Sequence, residues 1–369
     1  METISVLQAN RTSIQWKQLW SLAALYASVI IGWIAYFRYQ PKLLVQYGFT
    51  DFSFMLIVAQ AIILVVTPRV AGMLGDKFRF KAGHRLPIIS SGISFAAMVF
   101  MAVAFTLFTD PGEMFKWVLP VMIIGWLIGM SIFTSPALST VELFAPVDKL
   151  PRAMAVLTIV SNLISALEPV IVDIIDYIGA PVTFMAGGLA VFLSGYALKK
   201  NSLDLFKASG GETNDDDSVK TNYFRIFLMG IAVGLATTML FNIFPGELQD
   251  KVGSWTGLEN GNILIVMMLI LSALVSWPAS NWVSGWGLER SFALSLLFVL
   301  ISIPGVIYGT NTVLILACAA VFAVTLSVLS VSSLPLVMRH SSFREKVLGV
   351  GIFFSGTALP DGIMEIILA

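Results

Sequence analysis

The sequence predicts an all-α polytopic membrane protein, with about eleven transmembrane helices in two pseudo-symmetric bundles. Three observations carry this. First, 57% of residues are hydrophobic and 12% charged, with a mean hydropathy of +0.87. A soluble domain carries about 25% charged residues, so the surplus apolar surface must face lipid. Second, apolar stretches recur along the chain, each near the roughly 20 residues that a bilayer core requires of a helix. Third, Lys and Arg are concentrated in alternate connecting segments, the mark of retention on one side of the membrane.

The first sixteen residues are polar and mixed, with no cleavable signal pattern. Spans then follow near 18–38, 52–73, 86–108, 116–144, 152–176 and 181–198. After a hydrophilic segment they resume near 222–245, 261–281, 291–308, 312–338 and 347–369. Each is read as a helix, because backbone polar groups cannot go unpaired in lipid and no ten-residue alternation suggests a barrel. With the N-terminus in the cytoplasm, seventeen of the 22 basic residues fall on that side. Arg11 is among them, while Arg38, Lys42, Lys116 and Lys251 fall outside and Arg69 lies within a span. The expected location is the plasma membrane, in a bacterium the inner membrane.

The hydrophilic segment 199–221 holds Gly210, Gly211 and the acidic run Asp215, Asp216 and Asp217. Its composition cannot bury a core, so it reads as a flexible cytoplasmic linker. It divides a six-helix bundle, 1–198, from a five-helix bundle, 222–369. Short basic turns, 144–154 before the fifth span and 339–349 before the eleventh, occupy corresponding places in the two halves. Internal repeats of this kind are a common construction of secondary transporters.

Several classes are excluded. Zero net charge leaves no basic field for nucleic acid. The single cysteine, Cys318, rules out a disulfide or a multi-cysteine metal site. A Walker-type phosphate loop is missing, no hydrolytic or redox constellation is legible, and no paired histidines suggest haem, so neither an enzyme nor a cofactor is expected.

One loop is distinctive. It holds Gly72, then Asp76 and Lys77, then Gly83, His84 and Arg85, between two spans. This resembles motif A of the major facilitator superfamily. Residues 78–82 and the Arg85-Leu86-Pro87 ending look more like the glycoside/cation symporter and sucrose-transporter branch. Glu142 resembles the acidic residue that ends span 4 in many members. The resemblance implies a twelve-span pattern of which this chain lacks the last span. It also implies a conformational latch at Gly72, Asp76, Arg85 and Glu142 that holds the outward-facing state. Arg69, two helical turns before Asp76 and on its face, joins this set.

Intramembrane carboxylates mark ion or proton pathways. Glu168 and Asp361 each sit beside a proline, roughly 20 Å along their spans, and are the coupling candidates. Asp176, two turns beyond Glu168, extends an acidic path outward, with Arg38 as a structural partner for Glu168 or Asp176. In the superfamily the cavity lies between spans 1, 4, 7 and 10, with 2, 5, 8 and 11 at the interface of the halves. Mid-depth polar or aromatic residues there are Tyr26, Trp33, Gln60, Trp126, Asn162, Asn242, Trp277 and Thr325. Aromatic faces with amides suit a sugar-like solute.

Two functions fit. One is a secondary transporter, coupled to a proton or monovalent cation, that moves a small polar solute by alternating access. The other is a transport-inactive assembly or structural subunit, with a membrane-protein partner seated where a twelfth span would pack.

Overall fold

Long runs without internal charge bury no unpaired backbone group only as helices, and helices dominate the computed structural model. It describes residues 13–109, 117–209, 220–256 and 261–368. Arg11, Lys116, Gly210, Gly211 and the acidic run Asp215, Asp216 and Asp217 lie outside the described residues.

The helices are α1 Trp16–Gln46, α2 Ser53–Ala82, α3 Leu86–Thr109, α4 Val118–Leu138, α5 Leu150–Ala166, α6 Glu168–Ile178 and α7 Ala180–Ser209. They continue as α8 Tyr223–Thr238, α9 Phe244–Thr256, α10 Gly261–Trp286, α11 Leu288–Ile307, α12 Thr312–Arg339 and α13 Lys346–Leu368. Helices α8 and α9 form one continuous rod through a π-helical turn, Met239–Ile243. Among the described residues, ten helices are long and apolar enough to cross a membrane, and α5 with α6 makes an eleventh, bent by 56°. The chain is an integral membrane protein of all-α class. Apolar side chains such as Phe105, Leu274 and Ile301 point outward, as a lipid-facing surface requires.

The bend has a local cause. Pro169 follows Glu168 in the first turn of α6, where it has no N–H to continue the ladder of α5. A second difference concerns the polar segment. Residues 199–209 extend α7 as regular helix rather than starting a flexible linker. The amphipathic end of α7 has a place to pack: Phe206 is fully buried and lies edge-on to the rings of His84 and Phe144.

Within residues 13–209, α3 packs on α7 and α4, α1 on α7, and α2 on α4. Within 220–368, α8 packs on α13, and α12 on α10 and α11. The two sets meet chiefly along α2 with α13 and along α5 with α10. The α2–α13 seam depends on small residues. A Cβ on Gly351 of α13 would fall 2.2 Å from the Pro68 carbonyl oxygen of α2, so only glycine allows that approach. Small residues play this part in membrane bundles because lipid tails remove the hydrophobic drive between helices.

Candidate functional site

Two features are built at the meeting of these helix sets: a buried ionic cluster at the loop end of α2 and a cavity at mid-depth. The cluster begins where α2 stops. Gly83 adopts a left-handed conformation (φ 76°), which ends the helix and turns the chain. Asp76, nearly two turns inside the end of α2, is buried. Its carboxylate accepts hydrogen bonds from the backbone N–H groups of Val347 (3.2 Å) and Leu348 (2.8 Å). These are free donors in the first turn of α13, where the helix dipole also favours an anion. Gly72 permits the approach, since a Cβ there would lie 2.7 Å from the Leu348 Cα.

Arg85 is 2% exposed. It donates to the Ser139 carbonyl oxygen (3.0 Å) and Oγ (2.7 Å), and forms an ion pair with Glu142. Lys346 Nζ lies 3.0 Å from the other Glu142 oxygen. Asp76 therefore binds a helix N-terminus, while Glu142 is held by two cations from opposite helix sets. Lys346 was not anticipated from sequence; its place in the basic turn before α13 was the available signal. Arg69 is exposed, with its backbone against Gly351, and no described hydrogen bond or ion pair joins it to the cluster. Arg79 adds a link across the same seam, donating to the Phe343 carbonyl oxygen at 3.1 Å.

The cavity, of about 490 Å³, lies between α1, α2, α4, α5, α8, α10, α12 and α13. Tyr26, Trp33, Asn162 and Asp361 line it. Asn162 donates to Ser272 Oγ of α10 (2.9 Å), tying α5 to that helix. Asn242, in the π-helical turn, is exposed and outside the lining, and donates to Asp361 Oδ1 at 2.9 Å. Turns of this kind often mark functional positions.

Four expected cavity residues sit elsewhere. Trp126 is buried behind Trp33, stacked on Tyr36 with ring centroids 4.6 Å apart. Gln60 is buried in the α2–α13 seam, where its oxygen accepts from the Tyr36 hydroxyl (2.6 Å) and its amide donates to Glu365 (2.7 Å). Trp277 faces outward on α10. Thr325 is off the wall, its hydroxyl donating to Val321 of its own helix. Mid-depth placement alone does not tell a wall position from the reverse side of the same helix.

The remaining carboxylates part company. Arg38 pairs with Asp176 rather than Glu168, and Lys42 Nζ joins at 3.0 Å from Asp176. With two cations on it, Asp176 does not extend an acidic path. Glu168 is exposed at the α5–α6 bend and is not part of the cavity wall. Among the described residues no group of three or more metal-ligating side chains could hold a metal ion.

Neither a protein-family profile nor a curated protein sequence matches this chain. Solved structures do match, over almost the whole length. The human organic anion transporter MFSD10 (TETRAN) superposes with a TM-score of 0.71 at 12% identity, covering 96% of this chain and 93% of that one. This chain shares the fold of that structure. A bacterial homologue of the iron transporter ferroportin, in its outward-facing state with soaked iron, superposes at 0.68 and 15% identity, covering 97% and 91%. The proton:xylose symporter XylE, bound to 6-bromo-6-deoxy-D-glucose, superposes at 0.65 and 11% identity, covering 95% and 88%.

Proposed function

We propose that this protein is a secondary transporter that moves a small polar solute by alternating access. The observation that carries this is the position of the cavity. It lies between two helix sets, residues 13–209 and 220–368, and the seam at one end is closed by the Asp76, Arg85 and Glu142 cluster. In this assignment 1–198 and 222–369 are the rocking bundles, the cluster is the latch on the cytoplasmic side, and the N-terminus is cytoplasmic in a plasma membrane. Coupling to a proton or monovalent cation falls on Asp361, the charged residue of the wall, ahead of Glu168.

Asp76→Asn tests the latch. The amide loses the charge that favours the α13 N-terminus, about 1 kcal/mol or more for charge-assisted bonds in a buried setting. With Cys318 replaced by serine and a reporter cysteine at Thr134 in the wall, labelling from the exterior should fall in Asp76→Asn. Unchanged labelling from both sides in a folded variant would reduce Asp76 to a loop anchor. A wall that never changes sides in the parent protein, under any solute, would sink the transport function and favour a structural subunit.

Coupling is read in proteoliposomes with and without a pH gradient. Glu168→Gln should retain gradient-driven uptake, because Glu168 is off the wall. Asp361→Asn should lose it. The opposite pattern would return the role to Glu168.

A further inference from the structure

We infer that the solute of the central cavity is an organic cation bearing N–H donors, seated on Asp361, an assignment that rests on the transport function proposed above. Three features of the wall point this way.

The first is charge. Asp361 is a carboxylate, and among the described residues the wall includes no Lys, Arg or His. A cavity bounded by one anion in a low-dielectric setting attracts cations and rejects anions. Both Arg38 and Lys42 are paired with Asp176, and Arg85 with Glu142, so these cations are committed elsewhere.

The second is the direction of the hydrogen bonds. The hydroxyls of Thr134, Ser135, Ser161, Thr237, Ser333 and Thr357 all line the cavity, and each donates to a backbone carbonyl. A hydroxyl has one proton and two lone pairs. Once the proton is spent on the helix, what remains for a ligand is acceptor capacity. Asn162 spends one of its two amide protons on Ser272, and Asn242, outside the lining, spends one on Asp361. Six other hydroxyls of the lining, on Tyr26, Ser131, Thr158, Ser165, Thr238 and Ser330, have no described acceptor and can still donate, but each of them accepts as well. A neutral polyol asks for donors and acceptors in similar numbers. An ammonium offers only donors, which is what an acceptor-rich wall complements.

The third is the apolar remainder. Trp33 and Tyr26 sit in the wall with Phe241, Phe353 and Phe354. Aromatic faces attract cations as well as apolar bodies. The volume is within the range of small-molecule sites, roughly 300–1,000 Å³. An aromatic or aliphatic body with an ammonium at one end fits both parts of the wall.

Three probes of matched size decide the class: 2-phenylethylammonium, its anionic counterpart 3-phenylpropionate, and glucose. Binding to the purified protein is measured by calorimetry, and exchange by counterflow in proteoliposomes. The ammonium should bind and exchange, and the other two should not. Asp361→Asn should weaken ammonium binding about ten-fold or more, the scale of a lost charge-assisted bond, while Asp361→Glu should retain most of it. Glucose or phenylpropionate binding as well as the ammonium would overturn the inference, as would ammonium binding that Asp361→Asn leaves unchanged. No binding of the ammonium, in a protein whose Thr134 reporter still changes sides, would overturn the solute class and leave transport standing. The comparison of the three probes on the parent protein holds even if Asp361→Asn does not fold.

Discussion

Arg85→Ala is expected to be among the most damaging single changes in this protein. The guanidinium is 2% exposed and serves three acceptors, the Ser139 carbonyl and hydroxyl and the Glu142 carboxylate. Its removal leaves Glu142 buried with only Lys346 to hold it and strands the Ser139 carbonyl oxygen. Breaking a buried pair from one side costs about 3–5 kcal/mol, because the surviving charge is uncompensated. A large fall in melting temperature in detergent is the expected result. Removing both partners in Arg85→Ala/Glu142→Ala should recover part of the loss, since no anion is then stranded. An unchanged melting temperature for Arg85→Ala would mean that Lys346 and water satisfy Glu142 unaided.

The second large effect is expected at Gly230. This residue lies on α8, where a Cβ would fall 2.2 Å from the Phe353 carbonyl oxygen and 2.9 Å from the Gly356 Cα of α13. Both obstacles are backbone, so relief requires the helices to separate. Overpacking costs roughly 1–3 kcal/mol even where side chains can adjust, and here they cannot. Gly230→Ala should therefore destabilise despite the better helix propensity of alanine. Gly285 on α10 is the control, because nothing lies within 4 Å of its Cβ position. Gly285→Ala should be neutral or stabilising, by up to about 1 kcal/mol. Equal melting temperatures for the two variants would show that α8 and α13 are not held as closely as described.

Arg85→Ala and Gly230→Ala act on contacts between segments distant in sequence, and the same division separates what is legible in the sequence from what is not. The number and approximate limits of the spans follow from composition and run length, because a bilayer leaves a long apolar segment no other state than a helix. The loop with Asp76, Gly83 and Arg85 is legible for a related reason: its charges are dense, so it stands out in a chain that is only 12% charged.

Other features depend on which side of a helix faces inward. Trp277 and Thr325 have the polarity and depth of wall residues, yet one faces outward and the other is outside the cavity lining. A span that is apolar all round carries little periodicity to say which face is which. Partner choice was likewise hidden. Arg38 had two carboxylates in prospect, and only the packing of α1 beside α6 gives it Asp176. Lys346 reaches Glu142 because Gly72 and Gly351 let α2 and α13 touch. The sequence by itself determined that this chain is a bundle of membrane helices with a charged loop after its second span, since solvent alone dictates that much. The tertiary structure alone decided that Asp361 lies in the wall of the cavity, because that depends on how helices far apart in sequence turn their faces to one another.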